Sequence, residues 1–215
     1  MKLSELTNIF AAVLILTIVI GFSEIIKSQW SEFAKAFLFA VVIITVAVSA
    51  KKLMAYLLDS DVEHRIWSAS RYWFRPQQHL SKEVPLGIVF PLFISLFTLG
   101  VGKVMTLLTY ETKALKVRAA KRFGYYSFTE MTEFHNGLIG AAGIVGVLLV
   151  SFVSYFPGLE LLSKMAAYYA FFNMIPIANL DGAQIFFGSR VLYVAVGVVT
   201  LIFAGYATII TLGLI

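Results

Sequence analysis

Few side chains in this sequence are equipped for chemistry. Its 215 residues include three histidines, His64, His79 and His135, twelve carboxylates and no cysteine. The missing cysteine removes disulfides, thiolate metal sites and cysteine nucleophiles. A zinc-binding helix needs two imidazoles one turn apart with a glutamate between them as general base, and no two of these histidines have that spacing. Asp59-Ser60-Asp61-Val62-Glu63-His64 offers three carboxylates and an imidazole, oxygen enough for a divalent cation. It lacks the glycine and distal glutamate of a calcium loop, so a solvated loop neutralised by nearby arginines is the expectation. Glu130, Glu133 and His135 stand at spacings of three and two, which do not share one helical face. They are expected at headgroup level on an interfacial helix begun by Ser127 or Thr129. One carboxylate, Asp181, does not hold a metal alone. With Gln184 three residues on and Ile185-Phe186-Phe187 beyond, it fits a capping box at the start of the last helix.

The elements that must position these groups belong to a membrane protein. Hydrophobic residues make up 60% of the chain and charged ones 13%, about half the charged share of a soluble domain; mean hydropathy is +0.86. At about 20 residues per span, the length suits one domain of five or six transmembrane helices, with no second soluble domain. The first apolar run has no basic n-region or small-residue cleavage site, so no removable signal peptide is expected. A net charge of +5 suits basic loops beside anionic headgroups, and the scatter of Lys and Arg argues against nucleic acid.

Uncharged runs cover residues 6–23, 36–50, 84–102, 136–159, 165–180 and 191–215. The second continues past Lys51 and Lys52, which can snorkel. Trp67, Tyr72, Trp73 and Phe74 alternate with Arg65, Arg71 and Arg75 in an interfacial belt. The third run holds Pro85, Pro91 and Gly100-Val101-Gly102. If it crosses, the basic residues divide seven against eight, with Lys103 and Lys164 inside runs. If it enters and leaves by one face, they divide fourteen against three, namely Lys27, Lys35 and Lys164. Only the second division shows the positive-inside asymmetry. The expectation is therefore an all-α polytopic protein with spans of about 6–26, 34–57, 136–157, 160–175 and 190–213. A re-entrant hairpin, helical or β-like, covers about 85–109, and interfacial segments cover 59–84 and 110–135. Re-entrant backbone must be buried or line a wet cavity, so the hairpin should pack between helices and mark a cleft. Gly137, Gly140, Ala141, Gly143 and Gly146 permit close helix approach, with an oligomer interface as the alternative. Tyr168-Tyr169-Ala170-Phe171-Phe172 reads as lipid and core contact.

Asn173-Met174-Ile175-Pro176-Ile177-Ala178-Asn179-Leu180-Asp181-Gly182 meets every fixed position of N-x-x-P-x-x-x-L-D-G and so resembles a signature of the site-2 protease family of intramembrane zinc metalloproteases. Gly137 to Val145 looks like that family's small-residue helix, with Ile144 in place of its proline and Val147 near its asparagine. Glu63-His64-Arg65-Ile66-Trp67 is similar to an E-F-R-x-W stretch of archaeal members. Together these cover roughly residues 35–200. The resemblance implies a zinc site built from H-E-x-x-H and the L-D-G aspartate, with membrane-embedded strands corresponding to the third run. It also implies that the helices bearing the two ligand sets run parallel, a parity that a crossing third run would break. Counting back from Glu63, H-E-x-x-H should fall near Ala47-Val48-Ser49-Ala50-Lys51, which holds neither ligand nor base.

The chain thus reads as a catalytically inactive relative of site-2 proteases, keeping Asn173, Pro176, Leu180, Asp181 and Gly182 for architecture, with zinc absent. If the old geometry persists, Lys51 or Lys52 would pair with Asp181 as a buried ion pair. Such a protein would bind other transmembrane proteins as scaffold, assembly factor or complex subunit. The plasma membrane is expected to hold it, N-terminus cytoplasmic and C-terminus outside. One alternative is an active metalloprotease using Asp181 with His64 or His135; another is a transporter or channel subunit.

Overall fold

A computed structural model describes residues 3–71, 79–115 and 131–211. The expected positions at Tyr72 to Arg75, Lys116 to Arg122, Ser127, Thr129 and Glu130 lie outside the described residues. In chain order the elements are helices α1 (Leu3–Ile20), α2 (Phe22–Ile26) and α3 (Trp30–Leu57), then strands β1 (Ser60–Ile66), β2 (Ala69–Arg71) and β3 (His79–Val84). Next come α4 (Leu86–Phe97), β4 (Leu108–Ala114), α5 (Glu133–Tyr155), α6 (Glu160–Met174), α7 (Asp181–Gly188) and α8 (Arg190–Thr211).

The fold is mostly helical, and α1, α3, α5 and α8 are each long and apolar enough to cross a membrane. Their buried stripes meet in one core, where Leu16, Ile43, Ile44, Val147 and Met105 are fully enclosed. Their other faces expose Phe10, Leu38, Leu149 and Ile202, a spread of apolar surface that suits hydrocarbon and not water. The segment expected to span 6–26 is interrupted at Gly21, where a Cβ would lie 2.6 Å from the Phe33 ring. At 15 residues, α6 rises only about 22 Å, less than the hydrocarbon core of about 30 Å.

Over residues 85–109 the chain runs out and back. The Gly87 amide donates to the Trp67 carbonyl (2.8 Å) and the Trp67 amide donates to the Leu107 carbonyl (2.9 Å), so both ends of the excursion meet at one residue. Gly87 is required there, because a Cβ would stand 2.4 Å from the Leu107 oxygen. The far turn touches the other end of α1: Lys103 Nζ donates to the Ile20 carbonyl at 2.9 Å. Lys103 thus sits at the opposite end of the hairpin from Trp67, Gly87 and Leu107.

Of the two forms left open for the hairpin, helical or β-like, the first is found, and the expectation that it packs between helices is corrected. The run itself is helical in α4, with strands only at its flanks, and α4 does not pack between helices. Phe93, Leu96 and Phe97 are exposed, while Gly87, Pro91 and Ser95 face inward. A helix bonds most of its own amides and can face lipid; the irregular return, 104–107, cannot. That return is the buried part, with Met105, Thr106 and Leu107 enclosed.

Asp59 to His64 is also corrected, from solvated loop to strand. Ser60 through Ile66 pairs antiparallel with Ala114 through Leu108. The alternation of β1 turns Ser60, Val62 and His64 inward, while outward charges pair across the ribbon, Arg65 with Glu111 (2.9 Å) and Lys113 with Glu63 (3.0 Å). A second ribbon joins β2 to β3. Helix α5 begins at Glu133 with Thr132 as N-cap, accepting from the His135 amide, so Glu133 and His135 belong to its first turn.

Thermal unfolding in detergent should distinguish two glycines: Gly87→Ala is expected to cost about 2 kcal/mol through overpacking. Gly205→Ala, where an added Cβ meets nothing, should be neutral or gain a few tenths of a kcal/mol from helix propensity.

Candidate functional site

The break between α6 and α7 is made by residues with separate structural tasks. The last turn of α6 carries Asn173, fully buried, whose Nδ2 donates to the Tyr169 carbonyl (2.8 Å) and to the Met105 carbonyl of the hairpin return (3.2 Å). That bond ties the return of the hairpin to the broken helix. Ile175 turns extended as the C-cap, and Pro176, with no amide to donate, prevents continuation. Ala178 takes a left-handed φ of 48°, and the chain doubles back so tightly that a Cβ on Gly182 would lie 2.0 Å from the Met174 oxygen. Leu180 is buried as N-cap of α7.

The fold leaves Asp181 in the first turn of α7 without a capping role. No side chain caps α7, and α7 is separate from the last helix, from which Ser189 divides it. The capping-box expectation is corrected: both carboxylate oxygens are taken by Lys51 Nζ, at 2.8 Å (Oδ1) and 2.7 Å (Oδ2). Each side chain is only 2% exposed. A charge-assisted contact to an ammonium is stronger than one to a neutral amide, which explains the choice. Gln184 does not reach back either; its Nε2 donates to the carbonyls of Tyr110 (3.1 Å) and Asn179 (3.1 Å).

Glycines make the room for Lys51. Its aliphatic stem lies against Gly143, where a Cβ would be 2.4 Å from Cε, and Gly140 opposes the Tyr110 hydroxyl. The small residues of α5 therefore serve internal packing. Tyr110, inward-facing on β4, completes the enclosure: its ring centroid is 4.8 Å from Lys51 Nζ, a cation–π distance. The Tyr110 hydroxyl donates to the Asn136 carbonyl at 2.7 Å. Burial raises the Asp181 pKa, and the charge and hydrogen bond of Lys51 oppose the rise.

Adjacent residues on a helix point about 100° apart, so Lys52 turns to a different neighbour. Its Nζ pairs with Glu5 Oε1 of α1 at 2.7 Å, and the same oxygen meets His64 Nδ1 at 3.1 Å. The Asn8 amide adds a bond to the His64 carbonyl. His64 is enclosed. Burial first, then the positive charge of Lys51, push its pKa down to about 4 against the pull of Glu5, so the ring is neutral at pH 7. Sequence reading missed Glu5 and Tyr110. The signal for Glu5 was a lone carboxylate in the first turn of an apolar helix, expensive in lipid unless paired; for Tyr110 it was the inward phase of a strand.

His64 and Asp181 thus belong to two different ion clusters, and His135 stands at the start of α5 beside Thr132. Among the described residues, no three His, Asp or Glu side chains gather as a metal-binding group. A scan against protein-family models finds no match, and neither curated proteins nor solved structures provide one.

Asp181→Asn strands a buried ammonium, and is expected to cost about 3–5 kcal/mol in thermal unfolding. Lys51→Met combined with Asp181→Leu should recover most of that loss, because neither charge then remains in the core. The unfolded chain binds a proton on His64 near pH 6.5, whereas the folded chain resists it down to about 4. Stability should therefore fall as pH drops between those values, and His64→Gln should flatten the slope.

Proposed function

We propose that this chain is a catalytically inactive, site-2-protease-like integral membrane protein that works by binding other membrane proteins as scaffold, assembly factor or complex subunit. The observation that carries the reading is the bidentate contact of Lys51 with Asp181. Lys51 stands where the resemblance implies the H-E-x-x-H helix, and Asp181 is the aspartate of the L-D-G motif. An ammonium held against both carboxylate oxygens neutralises the charge that a zinc ion would need and fills the ligand's coordination positions.

The chain's course favours the same reading. The hairpin returns to its starting end, leaving α3 and α7 placed so that Lys51 and Asp181 meet. In this reading α6 is the fifth crossing, extended past Met174 by the apolar residues Ile175 and Ile177, and α4 is re-entrant. With Lys103 counted beside Lys27, Lys35 and Lys164, the cations divide thirteen to four, which supports a cytoplasmic N-terminus and an outside C-terminus; the plasma membrane is part of the same proposal. Partners would meet the outward apolar faces, such as Phe93 and Phe97 of α4, which stack 6.0 Å apart and are exposed.

Zinc analysis of detergent-purified protein tests the inactive site. Content far below one ion per chain is expected. Stoichiometric zinc that is lost in an Asp181→Ala variant would overturn the reading. Crosslinking in native membranes should give a discrete heteromeric species; a chain that remains monomeric throughout would sink the binding half.

A further inference from the structure

We propose that the groove between α6 and α8, at the turn of the hairpin, binds an anionic phospholipid. The groove encloses about 660 Å³, within the usual range for small-molecule sites of about 300–1,000 Å³. A whole spanning helix about 10 Å across would need roughly 2,000 Å³, so the space suits acyl chain and glycerol, and a helix could lie only against its rim. None of its lining residues takes part in the Lys51–Asp181 pair.

The lining is divided by chemistry along its length. Helices α6 and α8 are antiparallel here, the start of one beside the end of the other. Lys103 from the hairpin turn and Lys164 from the second turn of α6 line the groove together with Thr208 near the end of α8, whereas Phe171 and Leu201 lie about two turns deeper. Among the described residues, no carboxylate lines it. Around its rim, Glu160 lies 3.7 Å from Lys164 Nζ, and Glu24 acts on Lys103 only at a distance. Among the described residues, Lys103 has no carboxylate within ion-pair reach; its hydrogen bond goes to the neutral Ile20 carbonyl. A half-buried ammonium without a counter-ion is costly, and a phosphodiester at the groove mouth supplies the charge. Tyr155 and Tyr206, packed edge to face at this same end, set the headgroup level as interfacial aromatics do. The deeper apolar wall then lies at acyl-chain depth.

The test uses the full chain reconstituted in bilayers of phosphatidylcholine and phosphatidylglycerol in equal amounts, then released into mild detergent and weighed intact by native mass spectrometry. One retained phosphatidylglycerol per chain is expected, enriched about thirtyfold over phosphatidylcholine, the scale that two lysines near a headgroup provide. Equal retention of the two lipids would overturn the proposal. Lys164→Gln and Lys103→Gln should each reduce the enrichment. Because Lys103 also ties the hairpin to α1, a second variant guards against misfolding: Gly205→Phe enters open space and should expel both lipids at unchanged thermal stability. Retention that survives Gly205→Phe would overturn the proposal. A photoreactive residue at position 205 should label lipid in native membranes, and labelling of a polypeptide instead would assign the groove to a protein partner.

Discussion

A lysine and an aspartate 130 positions apart in sequence are held against each other where water does not reach, and the rest of the structure is arranged around that constraint. Burying either charge alone would cost several kcal/mol, so α3 and α7 must stay in register. That requires α5 to let the Lys51 stem pass, which Gly143 does, and requires the chain after α6 to turn back sharply enough to bring Asp181 inward, which Pro176, Ala178 and Gly182 do. Tyr110 closes the remaining side. The net energy of such a pair is small or negative compared with apolar residues of the same volume. Its value lies in specificity: the alternatives that separate the two charges are penalised.

The second cluster follows the same logic at the first helix. Lys52, Glu5 and His64 tie α1 to both α3 and β1, and the ring of His64 joins as a neutral partner. One helix thus uses two consecutive lysines to fix two different neighbours, because the helical rotation between them points one to α5 and α7 and the other to α1.

The hairpin shows how backbone hydrogen bonding decides what faces lipid. Its helical half, α4, can be peripheral because the helix bonds most of its own amides; its irregular half must be inside, and is held there through Trp67 and Asn173. A segment too short to span is accommodated without exposing loose backbone to hydrocarbon.

Much of this was legible in the residues. Membrane character followed from composition, the interruption of the third run from Pro85, Pro91 and Gly100-Val101-Gly102, and the break before α7 from Asn173, Pro176 and the Leu180-Asp181-Gly182 triplet, since these are local properties of hydropathy and backbone stiffness. The partner of Asp181 could be named only conditionally, as Lys51 or Lys52, because Asp181 with Gln184 also fits a capping box and local spacing does not reveal which group stands opposite the carboxylate. Only the tertiary structure decided between them, by bringing an ammonium within reach of the carboxylate. The same holds for Glu5, Tyr110 and the inward turn of the hairpin's return. Spacing along a chain determines which face a side chain occupies, but what stands opposite that face depends on residues a hundred positions away, and in a low-dielectric interior that opposite group determines whether a charge can be there at all.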